Sequence, residues 1–389
     1  MAGSRVIECD VAIHGGGVAG LWTLARLRRA GYRCVLIERG ALGAGQTIAS
    51  QGIIHGGIKY ALTGTASRAS RAIAEMPGIW RACLRGEGEV DLRGVEVLSD
   101  RQWLWTAGGV AARIAGVAAS KAIRTEVVRV DAAERPAWLA GAPRGLGGVD
   151  VYSVEEPVLN PRGIVRELAR AGEGCIVREG AGVEVAARRR ILAAGAGNEE
   201  LVRRFAGEAG ATGARMQRRG LHMVMVRGRG LPMAYGHCLG ASTTPRLTVT
   251  SQRDREGRTV LYLGGALAEE GVRRSREEQV AAAREELRAC LPWLEWDGVE
   301  AATLRIDRAE GLTADGSRPD EPVVTAIGEV VVVWPTKLAF APLAAERVLG
   351  VLEGQGVRPS GGGEPVRIAP GEAPGVAHLP WEEEGAAWS

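Results

Sequence analysis

Short unbroken apolar runs alternate along the chain with longer stretches in which apolar residues recur at helical spacing. One such run spans residues 11–13 and leads into a glycine turn. Val18, Leu21, Trp22, Leu24 and Ala25 then make one apolar stripe while Arg26, Arg28 and Arg29 face away, which predicts an amphipathic helix with Gly31 at its C-terminal cap. Residues 35–37 follow as a second buried strand, closed by Glu38. Further on, 67–85 has helical spacing, 95–98 and 102–105 read as strands, and 110–145 is rich in Ala and Gly with helical tendency. A helix is predicted over 161–171, with Pro161 suited to its first turn, and 190–194 reads as a third buried strand. The next zone reads as antiparallel strands at 221–226, 246–250 and 260–263, a long helix at 275–290 and a strand near 302–306. Residues 329–334 have the composition of a strand buried on both faces, and 335–338 turns into a helix running to about Glu353. Past Gly354 the chain is rich in Gly and Pro, which predicts an extended or disordered tail.

Residues 10–38 thus run strand, glycine turn, helix, strand, acid, the layout of an ADP-binding βαβ unit. Gly15 allows the tight turn, Gly17 lets the backbone approach a pyrophosphate, and Gly20 lets helix and strand pack closely. The helix N-terminus, at Val18 and Ala19, turns free N–H groups and a positive dipole end toward phosphate. Glu38 can accept hydrogen bonds from both ribose hydroxyls and would repel a 2′-phosphate. With 56 glycines in 389 residues, roughly one such glycine spacing is expected by chance. Its meaning comes from the strand, the stripe and the acid around it. Small and polar residues then run from 40 to 52, able to lie along an extended cofactor.

Charge adds little. Lys and Arg number 49 against 46 Asp and Glu, so nothing in the balance favours nucleic acid as a partner. The six cysteines show no C-x-x-C pair and no metal-ligand spacing with the five histidines, so no metal is expected and the pattern suits a reducing cytoplasm. No stretch reaches the apolar length of a membrane span, and the N-terminus enters the fold without a signal peptide.

Three separated segments are each typical of a flavin site: the glycine unit with Glu38, residues 50–60, and the strand-turn-helix at 334–338. The helix N-terminus of the last can aim N–H groups at the N1 and C2 carbonyl edge of an isoalloxazine. With Ile54-His-Gly-Gly-Ile-Lys-Tyr60, Ile191-Leu-Ala-Ala-Gly-Ala-Gly-Asn198 and Arg318-Pro319, the chain resembles the D-amino-acid oxidase-type FAD-dependent oxidoreductases. That group includes glycine oxidase, sarcosine oxidase, L-2-hydroxyglutarate dehydrogenase and flavin-linked glycerol-3-phosphate dehydrogenase. The resemblance covers most of residues 5–353. It implies an α/β fold, with an FAD-binding Rossmann-like domain and a substrate domain of mostly antiparallel sheet plus helices inserted into it. The division expected is 1–95, 156–215 and 318–353 for the first, 96–155 and 216–317 for the second, and 354–389 for the tail.

Residue by residue, the resemblance implies pyrophosphate contacts at Gly15, Gly17 and Gly20, ribose at Glu38 and adenine near Arg39 and Val183. Thr47, Ser50, Gln51 and Gly52 would line the pyrophosphate and flavin, Gly195 and Ala196 the ADP half, and Pro335, Thr336, Lys337 and Leu338 the pyrimidine edge. Lys59 is similar to the basic residue with which glycerol-3-phosphate dehydrogenases hold an anionic group. Arg318 matches an arginine that pairs with substrate carboxylate or phosphate, a task suited to guanidinium geometry. Lys337 falls where some members place a lysine near the flavin. His55 reads either as a structural histidine or as one packed on the flavin, with a covalent flavinyl link as a further alternative. His222 and His237 are expected in core or surface roles, and Arg305, Asp307, Arg308 and Glu310 as an internal ion-pair cluster.

The chain departs from the family pattern in two places: 175–190 is short, and 333–337 reads Val-Trp-Pro-Thr-Lys where a glycine-rich turn is usual. The function expected is removal of a hydride from a carbon bearing nitrogen or oxygen in a small anionic substrate, such as an amino acid, an N-substituted glycine or a 2-hydroxy acid. Oxygen or a quinone would reoxidise the flavin. The alternatives are a glycerol-3-phosphate-type dehydrogenase feeding a quinone, and a flavin-binding accessory subunit without turnover.

Overall fold

The computed structural model describes residues 5–57, 68–106, 127–144, 148–240, 242, 244–360, 366–368, 373–383 and 385–389. Its strands in chain order are β1 Arg5–His14, β2 Cys34–Glu38, β3 Val97–Ser99, β4 Gln102–Thr106, β5 Val127–Arg129, β6 Val151–Val154, β7 Val158–Leu159 and β8 Ile176–Arg178. They continue with β9 Val183–Leu192, β10 Met216–Gly228, β11 Gly236–Leu239, β12 Leu247–Arg253, β13 Thr259–Gly264, β14 Glu300–Gly311, β15 Val323–Ile327 and β16 Val330–Trp334.

The apolar runs assemble into a six-stranded sheet of order β15-β16-β9-β1-β2-β8. All its pairings are parallel except that of the edge strand β15 with β16. Parallel strands need crossover connections, whose helices cover both faces. On β16 the side chains divide accordingly. Val331 and Val333 pack into the core shared with the helices Val18–Arg29, Pro161–Ala171 and Ala341–Gly354, while Val330, Val332 and Trp334 face Val202 of the helix Asn198–Gly213. The helix Pro161–Ala171 starts where its sequence requires: the Asn160 side chain accepts from the Arg162 and Gly163 N–H groups, and Pro161 occupies the first helical position.

The second sheet has order β14-β10-β13-β12-β11-β4-β6-β5 and is antiparallel apart from the β11–β4 pair. Period-two alternation on β10 sends Val224 and Val226 to a core with the helix Arg276–Cys290, and Met223 and Met225 to the opposite face. Ser275 begins that helix with a full capping box. Among the described residues, no helix is long and apolar enough to cross a membrane.

Four segments depart from their periodicity. β9 starts at Val183, seven residues earlier than the apolar signal, because its first half alternates exposed and half-buried positions and carries Glu184, Arg188 and Arg189. β11, four residues all buried, is too short to show a period. Within 110–145 the described residues form the strand β5 and a single 3₁₀ turn at Ala137–Leu139 rather than a longer helix; 110–126 and 145 lie outside the described residues. The tail is docked. Leu379 and Trp381 are buried against Tyr262 and Met225, Val376 bridges to Leu42, and Ser389 exchanges backbone hydrogen bonds with Ala301 at 2.9 Å. A few well-placed apolar residues cover the open face of the second sheet, which average composition conceals.

Candidate cofactor and substrate site

β1 ends at His14 and passes the chain to Gly15 at φ +110°, where a Cβ would lie 2.6 Å from the Ala193 carbonyl oxygen. Only glycine fits that turn. A Cβ on Gly20 would lie 1.9 Å from the Gly15 oxygen, so the helix rests directly on the turn. Gly17 has no side chain with which to cap the helix, and Thr47 caps it from the next loop, its Oγ1 accepting from the Val18 N–H at 3.0 Å. The Glu38 carboxylate accepts from the Gly16 N–H at 2.6 Å and the Gly40 N–H at 2.7 Å, which fixes it beside the turn.

These loops open into a cavity of about 1130 Å³, above the roughly 300–1,000 Å³ of ordinary small-ligand pockets. Gly15, Gly17, Val18, Ala19, Glu38, Arg39, Thr47, Ser50 and Gln51 line it, as do His55, Gly195, Ala196, Arg318 and Pro335 to Leu338. The second sheet closes the cavity: the Gln51 side chain donates to the Tyr262 carbonyl at 2.9 Å, and the Tyr262 hydroxyl donates to the Ala49 carbonyl at 2.9 Å. At the 335–338 turn Thr336 takes φ +62°, the one positive value among described non-glycine residues. The Lys337 N–H donates to the Pro335 carbonyl at 2.7 Å across it, a tight γ-turn that is strained for a β-branched residue.

Most cations on the wall are engaged. Arg219 forks onto Glu310 at 2.7 and 2.9 Å, Arg308 reaches Glu269 at 3.2 Å, Arg204 reaches Glu179 at 3.0 Å, and Arg39 lies 3.5 Å from Glu200. The Lys337 ammonium sits 5.3 Å over the Phe340 ring. Arg318 makes no hydrogen bond or ion pair with any described residue.

A buried polar cluster forms another part of the wall. The Leu159 N–H donates to the Gly52 carbonyl and the Ile54 N–H to the Pro157 carbonyl, both at 2.9 Å, and this antiparallel pairing brings His55 opposite Glu156. The Glu156 carboxylate, 1% exposed, accepts from the Gly56 N–H at 2.5 Å and the Gln102 side chain at 3.2 Å, and lies 3.3 Å from His55 Nδ1. Burial opposes its ionisation, but the hydrogen bond and charge of His55 together with the Gly56 N–H hold the carboxyl below its usual range. His237 stacks on His55 with ring centroids 5.9 Å apart, and its Nδ1 lies 2.9 Å from Thr248 Oγ1. Burial, then the charge of His55, pushes the His237 ring down to about 3.

The chain matches the family of FAD dependent oxidoreductases, DAO, over residues 10–348. It belongs to that family. It is 45% identical over 395 residues to the probable FAD-dependent oxidoreductase PA4991 of Pseudomonas aeruginosa, with 97% of this chain and 98% of that protein covered. The crystal structure of PA4991 superposes with a TM-score of 0.81 at 40% identity, covering 97% of this chain and 98% of the other. Glycine oxidase from Geobacillus kaustophilus shares the fold at a TM-score of 0.60 and 16% identity, with 93% and 99% covered. So does the FAD-bound L-alpha-glycerophosphate oxidase of Mycoplasma pneumoniae, at 0.60 and 14%, with 89% and 95% covered. The chain is therefore an FAD-dependent oxidoreductase with a Rossmann-like α/β fold.

The residues present fit the flavin dinucleotide of that family. The glycine turn is a cradle that any Cβ would fill, the helix N-terminus opens beside it, and the cavity runs on past the turn to 335–338. Gly20 and Gly52 shape the wall without lining it: a Cβ on Gly52, at φ +73°, would lie 1.9 Å from the Leu159 oxygen. Val183 is a correction. It pairs with Arg5 at the start of β1, whereas Leu192 pairs with His14 at the cavity. At ~3.3 Å per residue the nine steps between them put Val183 roughly 30 Å away. Glu179 and Arg204 line the cavity instead. Lys59 lies outside the described residues. His237, expected in a core or surface role, is buried yet lines the cavity, and the expected ion-pair cluster is divided. Arg305 binds the Val272 and Arg274 carbonyls, Arg308 binds Glu269 and Glu310 binds Arg219. Glu156 was missed. Its signal is a carboxylate inside the apolar run 151–159, which can be buried there only if it is paired.

Proposed function

We propose that this flavoenzyme removes a hydride from a carbon bearing nitrogen or oxygen in a small anionic substrate. The observation that carries the reading is Arg318, a guanidinium on the cavity wall with no partner among the described residues, where the neighbouring Arg219 and Arg308 are neutralised by glutamates. An unspent guanidinium on a cavity wall is an anion site in waiting. The enzymes sharing the fold are named for glycine, iminodiacetate and glycerophosphate, small molecules that each carry a carboxylate or phosphate, which supports the reading.

In this reading Gly15, Gly17, Val18 and Ala19 would hold the pyrophosphate, Glu38 the ribose, and Thr336 to Leu338 the flavin's pyrimidine edge. Bound FAD supplies the hydride acceptor. Arg318 fixes the substrate's anionic end, Lys59 and Lys337 add positive charge, and closure by the second sheet keeps water from the reacting carbon. Oxygen or a quinone returns the flavin to its oxidised form.

Anaerobic mixing with amino acids, N-substituted glycines and 2-hydroxy acids tests this by bleaching of the flavin band. Arg318→Ala should weaken binding of the active substrate about 10- to 100-fold, the loss of a charge-assisted hydrogen bond, while FAD content stays at wild-type level. No bleaching with any anionic substrate, or an Arg318→Ala enzyme that binds its substrate as well as the wild type, would overturn the reading.

A further inference from the structure

Spacing along the chain gives no metal motif, but the fold gathers one. His55 comes from the loop after β2, Glu156 from the link between β6 and β7, and His237 from β11. A ring nitrogen of each histidine and a carboxylate oxygen of Glu156 all lie within 4.8 Å of one another. Two imidazoles and one carboxylate form a donor set suited to divalent transition metals.

Two of the three donors are braced from behind, as metal ligands are. Gly56 and Gln102 hold Glu156, and Thr248 holds His237 through Nδ1. That leaves His237 Nε2 buried with no partner among the described residues, in a residue only 4% exposed. A buried polar atom left unpaired calls for an explanation, and Gln102 Oε1 in the same cluster is another such atom. Tetrahedral bonds of ~2.1 Å require donors roughly 3.4 Å apart. From within 4.8 Å of one another the donors must close by up to about 1.4 Å to reach that spacing, which the His55 side chain, 37% exposed, can supply in part by turning.

We propose that His55, Glu156 and His237 bind one divalent transition-metal ion on the cavity wall. Three protein ligands leave positions open, the arrangement of a reactive rather than a structural site. Both histidines line the cavity, which puts the site at its wall. If the anionic substrate proposed above is correct, the ion would bind its hydroxyl or carboxylate oxygen; the ion site itself does not depend on that reading.

The test is equilibrium dialysis of chelator-treated, flavin-loaded protein against zinc alone, with metal counted per chain. About one zinc per chain is expected. His55→Ala and His237→Gln should each weaken it at least 100-fold, and Thr248→Val, which removes the brace, by about 10- to 100-fold. His378→Gln, at an exposed histidine outside the cavity, should bind as the wild type does. FAD content identifies variants that have folded, and His55, half-exposed, serves if His237→Gln does not. The proposal is overturned if the wild type takes up no more zinc than His55→Ala. Zinc binding without flavin bleaching by any anion removes the substrate reading and keeps the site; bleaching without zinc binding does the reverse.

Discussion

Mild acid should destabilise this protein through histidines well before its carboxylates titrate. Burial, then the charge of Arg190, holds His14 at about 4, and burial with the charge of His55 holds His237 at about 3, against an ordinary 6.5. His222 is shifted the same way by burial. Below pH 6.5 the unfolded chain takes up protons on these rings while the folded chain does not, so stability falls as pH falls. Each fully responding ring contributes a slope of about 1.4 kcal/mol per pH unit. Integrated from pH 6.5 to 5 with the onset included, His14 and His237 together remove about 3 kcal/mol, and His222 adds to it. That is a large share of a typical 5–15 kcal/mol. His14 is 7% exposed and His237 4%, so solvent screening offsets little of this. The lowered carboxylates Asp10 and Glu156 act in a different window. Their stabilisation is complete above the unfolded values near 4 and is lost only as pH falls through the lower folded ones. The assay is urea unfolding followed by tryptophan fluorescence at pH 7.5, 6.5, 5.5 and 5.0, with chelator present to keep metal off the rings. His237→Gln should remove about 1.4 kcal/mol per pH unit from the slope whatever it does to the midpoint at pH 7.5. A stability constant within about 0.5 kcal/mol between pH 6.5 and 5 would refute the reasoning, since two buried neutral rings must produce at least several times that.

Three further outcomes follow from close contacts. Gly20→Ala puts a Cβ 1.9 Å from the Gly15 oxygen, so the helix must move off the turn; FAD affinity should fall at least tenfold by fluorescence titration, with a stability loss of about 1–3 kcal/mol. Trp381→Ala should cost about 3–5 kcal/mol in urea unfolding if the tail is docked as described, whereas Trp381→Phe should cost much less because the indole N–H has no partner. Asp10 accepts from the Arg33 and Ser360 N–H groups at 2.9 and 3.2 Å; Asp10→Asn should destabilise by about 1–3 kcal/mol at pH 7, and the difference from wild type should shrink as pH falls below the usual carboxylate range, where the unfolded chain takes up the proton before the folded one.

Local chemistry made the cofactor half of this protein readable in one dimension. Gly15, Gly17, Gly20 and Glu38 lie within 24 residues, and each is required by backbone geometry or charge at its own position, so the βαβ unit shows itself without knowledge of the rest. The strand 330–334 announced its two-faced burial, and Pro161 and Ser275 marked helix starts through hydrogen bonds made within a turn. What failed was whatever depends on a distant partner. β9 hides its first seven residues behind charges because β1, some 170 positions away, supplies its pairing. The tail looked unstructured because the face it covers belongs to β10 and β13.

The same division runs through the site. The sequence alone determined that the chain binds a dinucleotide and, by resemblance, that the dinucleotide is FAD, because each of those signals is a short contiguous motif. Only the tertiary structure decided that Arg318 has no ion-pair partner among the described residues while Arg219 and Arg308 do, and that His55, Glu156 and His237 share one wall. Ion pairs and ligand clusters are set by distances through space. Residues 55, 156 and 237 become neighbours only when the 52–54 segment pairs with 157–159 and β11 joins β4 in the second sheet.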